Sequence, residues 1–404
     1  MLAVLLIAWP DAARANAGSV GHHAMMIDTA AKFPQPQRTA ARRDVVVLQS
    51  NRTADARRLK AHNKGIVVLA YLNLSAMAPA VPTGYSTGVQ THRESSSGKV
   101  INTGSGYAAR NERWFLHDRK GRRFTFRSYD WLWAANVSDP GYQRRWASNA
   151  LRMLDARPEF DGVYIDDVNP TLRYHHDAAD VRELPNDEAY AAATGQALAA
   201  IVPRIRILGR LVYANLGAWS DYGDQVRPWL RHLDGAVDEQ WVKFDPRRGA
   251  GYRDEAGWMR QVANVAGASA AGVDVMTITR SARTDRAAAR YGYASALLAS
   301  RGQVLFSFAP DYHTETWSGD YERDLGAPTG PMETDESGLR SRAFKHGRVV
   351  VNPTAQNRRT DSGETLRPHS ALILQASSGQ WPCASKYSRA ASSFSRSPRS
   401  VIRK

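Results

Sequence analysis

Apolar residues in this chain gather into short continuous runs, separated by longer stretches in which they recur every three or four positions. RDVVVLQS (43–50) and IVVLAYLNL (66–74) are unbroken enough for strands buried on both faces. Between them TADARRLKAHNKG predicts a helix closed by its glycine. An insertion rich in Gly, Ser and Thr runs from Ser75 to about Tyr129 and contains RWFLHDRKGRRFTF, a hairpin pattern. WLWAANV then reads as a third strand, PGYQRRWASNALRMLDA as a helix and GVYIDDV as a fourth strand. DEAYAAATGQALAAIV is a helix, LVYANLG a fifth strand, and 224–231 a short helix. DGAVDEQW follows as the sixth strand, with a helix over 254–266. GVDVMTITR, the helix TDRAAARYGYASALLAS and GQVLFSFAP complete the series.

Eight strands alternating with helices predict an α/β architecture, a closed TIM (β/α)8 barrel over 44–310, with the long insertion after its second strand. No glycine-rich phosphate loop follows the first strand, which argues against a doubly wound nucleotide-binding sheet. Beyond Pro310, over 311–376, the chain predicts a helix and a small β appendage. Its strands are FKHGRVVVNPT and ETLRPHSALILQA, and the appendage is expected to close the barrel.

The net charge is +15, and six of those positive charges lie in the Ser/Arg-rich tail 377–404, which has no acid and too little apolar content to fold. The remaining Lys and Arg are dispersed, without the clustered aromatic-basic pattern of a nucleic-acid reader. One cysteine, Cys383, excludes an internal disulfide, and its place in the tail is a poor one for a catalytic thiol. MLAVLLIAWPDAARANAGS has an apolar stretch followed by Ala-Asn-Ala, which predicts a signal peptide over 1–17 and a secreted, cell-surface or periplasmic protein. No other run approaches the ~20 apolar residues of a membrane span. Nothing in the sequence predicts the oligomeric state.

FDGVYIDDV and LDGAVDEQW align with Asp161 on Asp234, Gly162 on Gly235 and Asp166 on Glu239. Equivalent positions on two parallel staves share a side-chain period, so Asp166 and Glu239 are expected to face each other across the barrel mouth. Two facing carboxylates suit glycosidic cleavage: one protonates the leaving oxygen, the other attacks the anomeric carbon or activates water. Asp167 and Asp238 are their neighbours on the opposite face. Tyr71, Trp131, Trp133, Trp219 and Trp241 lie beside strand ends, where rings can stack on sugars or pack in the core. Asn73, Asn169 and Asn215 follow strands closely, placed either to bond hydroxyls or to shape turns. Tyr312, His313 and Trp317 follow the eighth strand and share that ambiguity. Arg280 ends the seventh strand, where an acidic sugar or, more simply, a neighbouring acid would meet it.

FDGVYIDDVN, LDGAVDEQW, RYGYASALLASRGQVLFSF and GRVVVNPT together resemble hypothetical glycosyl hydrolase family 15, loosely similar to the family 114 polygalactosaminidase-like barrels. The resemblance spans Asp44 to Gln375. It implies a secreted or surface glycoside hydrolase barrel acting on a polysaccharide or oligosaccharide without a cofactor, and supplies no particular sugar. Many barrel glycosidases place a nucleophile at the end of strand seven, but Asp274 stands at the start of that strand here. By analogy with barrels acting on α-linked galactosides, Asp166 is implied as nucleophile or base and Glu239 as general acid. From the residues themselves, Tyr71, Asn73, Trp131, Trp133, Asp167, Asn169, Asn215 and Trp241 are the expected substrate contacts. Two other readings stay open: a non-catalytic carbohydrate-binding barrel in exopolysaccharide assembly, and a metal-dependent deacetylase. The latter needs two His three residues apart, whereas His175 and His176 are adjacent; a loop set of Asp167, His175, His176 and Asp177 is the remaining metal candidate, and no metal is expected.

Overall fold

The computed structural model describes residues 20–376 apart from 29–30, 79–86, 90, 95–99, 104–108, 128, 174–175, 177–179 and 248. The expected leader over 1–17, the tail over 377–404 and Cys383 lie outside the described residues. Three parallel strands open the chain, β1 (Val20–Met26), β2 (Val45–Gln49) and β3 (Val67–Asn73), linked by α1 (Pro36–Arg42) and α2 (Thr53–His62). An insertion follows, with β4 (Ala76–Met77), β5 (Thr91–Glu94), β6 (Val100–Thr103), β7 (Thr125–Phe126) and β8 (Tyr129–Ala134). The chain returns through α3 (Pro140–Ala156) to β9 (Gly162–Val168), α4 (Asp187–Arg206), β10 (Leu211–Leu216), α5 (Gly223–Val226) and β11 (Gly235–Asp238). Then come α6 (Glu255–Ala270), β12 (Asp274–Thr279), α7 (Arg286–Ala299) and β13 (Val304–Phe308). β1 pairs in parallel with both β2 and β13, closing an eight-stranded barrel.

The barrel is the expected one, but two of its staves differ from the sequence reading. The first stave is β1, upstream of Asp44, and WLWAANV is not in the barrel. VGHHAMM escapes notice because two histidines interrupt an otherwise apolar run; His23 is nonetheless wholly buried, its Nε2 3.1 Å from the Thr277 carbonyl oxygen. WLWAANV supplies most of β8, which pairs antiparallel with β4 and β7 in a separate three-stranded sheet. Its Trp-Leu-Trp alternation is that of a strand with one half-open face, whereas VVVLQ and VVLAYLN are buried throughout. The insertion therefore follows the third stave, not the second. One missed strand and one surplus strand cancel, so staves four to eight keep their ordinals.

Asx caps start the helices around the site. Asp139, Asn186, Asp254 and Asp285 each accept a backbone N–H three residues on, opening α3, α4, α6 and α7. α2 ends at Asn63 in extended conformation rather than at the expected glycine. The predicted hairpin in the insertion is present as a turn, with His117 bridged to Arg123 and Gly121 at φ +76°.

The Asp-Gly pairs have a structural job at the opposite end from the mouth. Asp161 accepts from the Val68 N–H at 2.7 Å and Asp234 from the Val212 N–H at 2.9 Å, so each stave is tied to its neighbour before it enters the barrel. Gly162 and Gly235 face inward where space is short: a Cβ would come within 2.0 Å of the Leu211 carbonyl oxygen and 2.2 Å of the Tyr213 ring. The inward rows from the staves form one apolar cluster, including Val47, Leu69, Tyr71, Tyr164, Tyr213, Val237, Met276 and Leu305. A second, larger cluster fills the shell between barrel and helices.

Beyond the barrel, β14 (Glu333–Thr334), β15 (Arg340–Phe344), β16 (Gly347–Asn352) and β19 (Ser370–Gln375) form an antiparallel sheet, with β17 (Arg358–Arg359) and β18 (Thr365–Leu366) as a separate pair. The sheet packs against α7 and does not join or close the barrel. Arg342 fastens it there, donating to the carbonyls of Leu297 and Ser300 at the end of that helix. The helix expected within 311–376 is only a 3-10 turn, Gly319–Glu322.

Candidate active site

The C-terminal ends of β9 and β11 bring three carboxylates to the barrel mouth. Asp166 shares the inward row of β9 with Gly162 and Tyr164. Its Oδ2 accepts from the Tyr71 hydroxyl at 2.5 Å, and its Oδ1 from Asn215 Nδ2 at 2.9 Å and the Asp167 N–H at 2.8 Å. Glu239 follows the last residue of β11. Its Oε1 accepts from the Tyr164 hydroxyl at 2.7 Å and its Oε2 from the Tyr312 hydroxyl at 3.2 Å. Direct register pairs Asn215 with Val237, two residues short of Glu239. The stagger of such a barrel, about one residue per stave, raises Glu239 to the level of Asp166 two staves away.

Asp167 departs from the strict alternation that would place it outside. Its φ is +54°, and the β9–β10 register slips by one residue between Ala214 and Leu216. This bulge turns Asp167 back toward the mouth, where its Oδ2 accepts from Asn73 Nδ2 at 2.6 Å and its Oδ1 lies 3.5 Å from Asn169 Nδ2. Asp238 behaves as alternation predicts. It points outward and accepts from Gln261 Nε2 of α6 at 2.9 Å.

Asp166, Asp167 and Glu239 remain partly open to solvent at the barrel mouth, yet protein surrounds each of them. Burial pushes Asp166 and Asp167 up to about 6 and Glu239 up to about 7. Each also feels a neighbouring carboxylate: Asp167 acts on Asp166, Asp166 on Glu239, and Glu239 on Asp167. The amide and hydroxyl donors work the other way, holding the charged forms. The three groups titrate as one set, with Glu239 the most inclined to keep its proton.

The expected sugar-contact residues divide. Asn73, Asn169 and Asn215 are all at the mouth, bonded to the carboxylates. Tyr71 is beneath it, its ring stacked on Tyr164 at 5.9 Å and only 2 % exposed. Trp131 and Trp133 are half-buried on the insertion sheet, Trp131 edge-on to Tyr129 at 6.2 Å and Trp133 edge-on to Phe115 at 6.4 Å. Trp241 belongs to the core instead. It is fully buried, its Nε1 bonds the Gly292 carbonyl at 2.9 Å, and no ring face is open to a sugar. The strand ends at Asp238, so the inward parity that holds for Glu239 no longer governs Trp241. Trp219 is likewise buried. Of the residues after the last stave, Tyr312 reaches the site, whereas His313 lies near Asp28 and Asp311, and Trp317 packs with His22 and Arg43.

Two further contributors are absent from the expectations drawn from sequence. Tyr164 stands two residues before Asp166 on the same inward face, and that period-2 spacing is its signal. Tyr129 has no local signal, but all three carboxylates raise its hydroxyl pKa after burial has done so, and 49 % of it is exposed. Among the described residues no group of three His, Cys, Asp or Glu is arranged to hold a metal ion. Of the loop set considered from sequence, Asp167 is at the mouth, His176 stacks on Phe124 at 3.9 Å, and His175 and Asp177 lie outside the described residues. No helix among the described residues is long and apolar enough to cross a membrane.

Comparison with solved structures finds Ega3 of Aspergillus fumigatus in complex with galactosamine, 12 % identical, with 66 % of this chain and 78 % of that one covered at a TM-score of 0.41. The maltogenic α-amylase AmyB of Thermotoga neapolitana is 10 % identical, with 88 % and 98 % covered and a TM-score of 0.48. The α-galactosidase AgaA of Geobacillus stearothermophilus is 10 % identical, with 89 % and 55 % covered and a TM-score of 0.46. No curated protein matches the chain. The profile of one family matches residues 60–348, well over half of the chain and from β3's approach to the C-terminal sheet. The chain belongs to hypothetical glycosyl hydrolase family 15.

Proposed function

We propose that the protein hydrolyses O-glycosidic bonds of a polysaccharide, with Glu239 as general acid and Asp166 as nucleophile or base. The observation that carries this reading is the meeting of two buried carboxyls at one mouth, each held by its own donors. Burial raises both, and Asp166 receives three donors that favour its charged form against two for Glu239, which supports Glu239 as the proton carrier. In the reaction Glu239 gives its proton to the glycosidic oxygen as the bond to the anomeric carbon breaks. Asp166 either attacks that carbon or takes a proton from the water that does. Tyr71 and Asn215 hold Asp166, and Tyr164 and Tyr312 hold Glu239, so neither group has to be oriented during the reaction.

The test is reducing-end release from a panel of bacterial and plant polysaccharides. Asp166→Asn and Glu239→Gln should each lower the rate roughly 100- to 10,000-fold, the usual contribution of a positioned acid or base. Full activity in either variant sinks the assignment. Polysaccharide binding by the native protein with no bond cleavage favours the non-catalytic barrel, and chelator-sensitive acetate release favours the deacetylase.

A further inference from the structure

Arg280 stands immediately after β12, at the same mouth, and is not paired as a structural arginine would be. Its backbone N–H donates to the Lys243 carbonyl at 3.1 Å, which fixes where the side chain leaves the stave. The guanidinium carbon lies 5.0 Å from the centroid of the Tyr312 ring and 5.2 Å from that of Phe244. Tyr312 is the residue whose hydroxyl bonds Glu239, so Arg280 is anchored beside the general acid proposed above. Among the described residues Arg280 forms no ion pair, although the guanidinia of Arg43, Arg52, Arg290 and Arg340 all find acids. Its Nε is buried and has no hydrogen-bond partner among the described residues.

A buried, unsatisfied donor on a charged group is costly, and aromatic rings contact only the faces of a guanidinium. The N–H groups at its edge are then left for something else. That edge matches a carboxylate bidentately, the pairing for which arginine is better suited than lysine. Glu239 does not serve as that partner: it accepts from two tyrosines, and no Arg280–Glu239 ion pair exists among the described contacts. The groups that face Arg280 are therefore Tyr312, Phe244, the Lys243 carbonyl and, at longer range, Glu239 and Tyr129.

We infer that Arg280 receives the carboxylate of an acidic sugar, so that the substrate is a uronic-acid-containing polysaccharide. This rests on the glycosidase reading for the cleavage step but not for binding. The elevated carboxyls of the mouth leave it less negative near neutral pH than three ordinary acids would, which lowers the repulsion an anionic sugar meets there.

The experiment uses the full chain carrying Asp166→Asn, which should bind without turnover. Polygalacturonate, alginate and hyaluronate are titrated against it, each beside its carboxyl-reduced neutral form. At least one acidic polymer should bind, its neutral form should bind about 10- to 100-fold more weakly, and Arg280→Gln should cause a loss of the same size, as one charge-assisted contact predicts. Arg280→Lys, which keeps the charge but loses the fork, should fall between the two, and thermal melts establish that each variant is folded. Equal binding of acidic and reduced polymers, binding of none of the six, or affinity indifferent to Arg280→Gln overturns the inference. Arg280-dependent binding of an acidic polymer that the native enzyme does not cut supports the inference and removes the glycosidase reading. Cleavage of a neutral polysaccharide with acidic ones ignored does the reverse.

Discussion

The hydroxyl of Tyr164, on the fourth stave, donates a 2.7 Å hydrogen bond to Glu239 at the end of the sixth. Tyr71, stacked on Tyr164, does the same for Asp166. Two adjacent buried tyrosines thus each hold one of the two carboxylates from below. The hydroxyls donate to oxygens whose charged forms they stabilise, so they tune the acids as well as orient them.

Tyr164→Phe removes a donor to the charged form of Glu239 and raises its pKa above the present value of about 7. A general acid must be protonated, so the alkaline limb of kcat/KM against pH should move to higher pH. The expected cost in stability is about 1 kcal/mol for the lost hydrogen bond. A limb that stays in place or moves down contradicts the role of this pair.

The raised carboxyls also set a pH dependence of stability. In the unfolded chain Asp166 and Glu239 titrate near 3.8 and 4.5, and in the fold near 6 and 7. Between about pH 4 and pH 7 the folded state holds protons that the unfolded state has released, so these groups make stability fall as pH rises. Asp166→Asn and Glu239→Gln remove that loss. Each should melt above the native protein at pH 8, by roughly 2 °C, with the gap closing toward pH 4. A gap independent of pH in calorimetric melts contradicts the burial argument.

Asp167 occupies a left-handed conformation that asparagine tolerates and β-branched residues do not. Asp167→Asn should keep the bulge and lose little stability. Asp167→Val should lose about 1–2 kcal/mol from the backbone alone, before the lost Asn73 contact is added. Urea denaturation of the two variants measures the difference; equal midpoints would mean the bulge is not strained.

Trp241 and Trp131 should separate cleanly. Trp241→Ala opens a cavity in a fully buried position and should cost about 3–5 kcal/mol. Trp131→Ala, on the half-open sheet, should leave the melting temperature nearly in place and raise KM for the polysaccharide about fivefold, the scale of one aromatic contact. A KM effect without a stability effect at Trp241 would put its ring back in the site.

Arg280 and Asp167 illustrate how far local pattern reaches. The run of apolar staves is local information, because a strand buried on both faces must be apolar throughout, and that was enough to identify a barrel. The shared Asp-Gly spacing was also enough to bring Asp166 and Glu239 to one mouth, since side-chain alternation is a property of any single strand. β1 was missed because buried histidines look polar until their neighbours are known. β8 was miscounted because pairing partners, which decide the sheet a strand joins, are not written in the strand itself.

The remaining decisions belong to tertiary structure. A one-residue bulge set by the β9–β10 register turned Asp167 inward against its parity, and the end of β11 turned Trp241 into the core. Whether Arg280 has an ion-pair partner depends on loops that come together from distant parts of the chain, as does the nearness of Tyr129 and Tyr312 to the carboxylates. Sequence alone determined which residues could carry the chemistry, because strand periodicity and residue type are local. Which of them share a cavity, and with what charge, was decided only by the closing of the barrel and the packing of its loops.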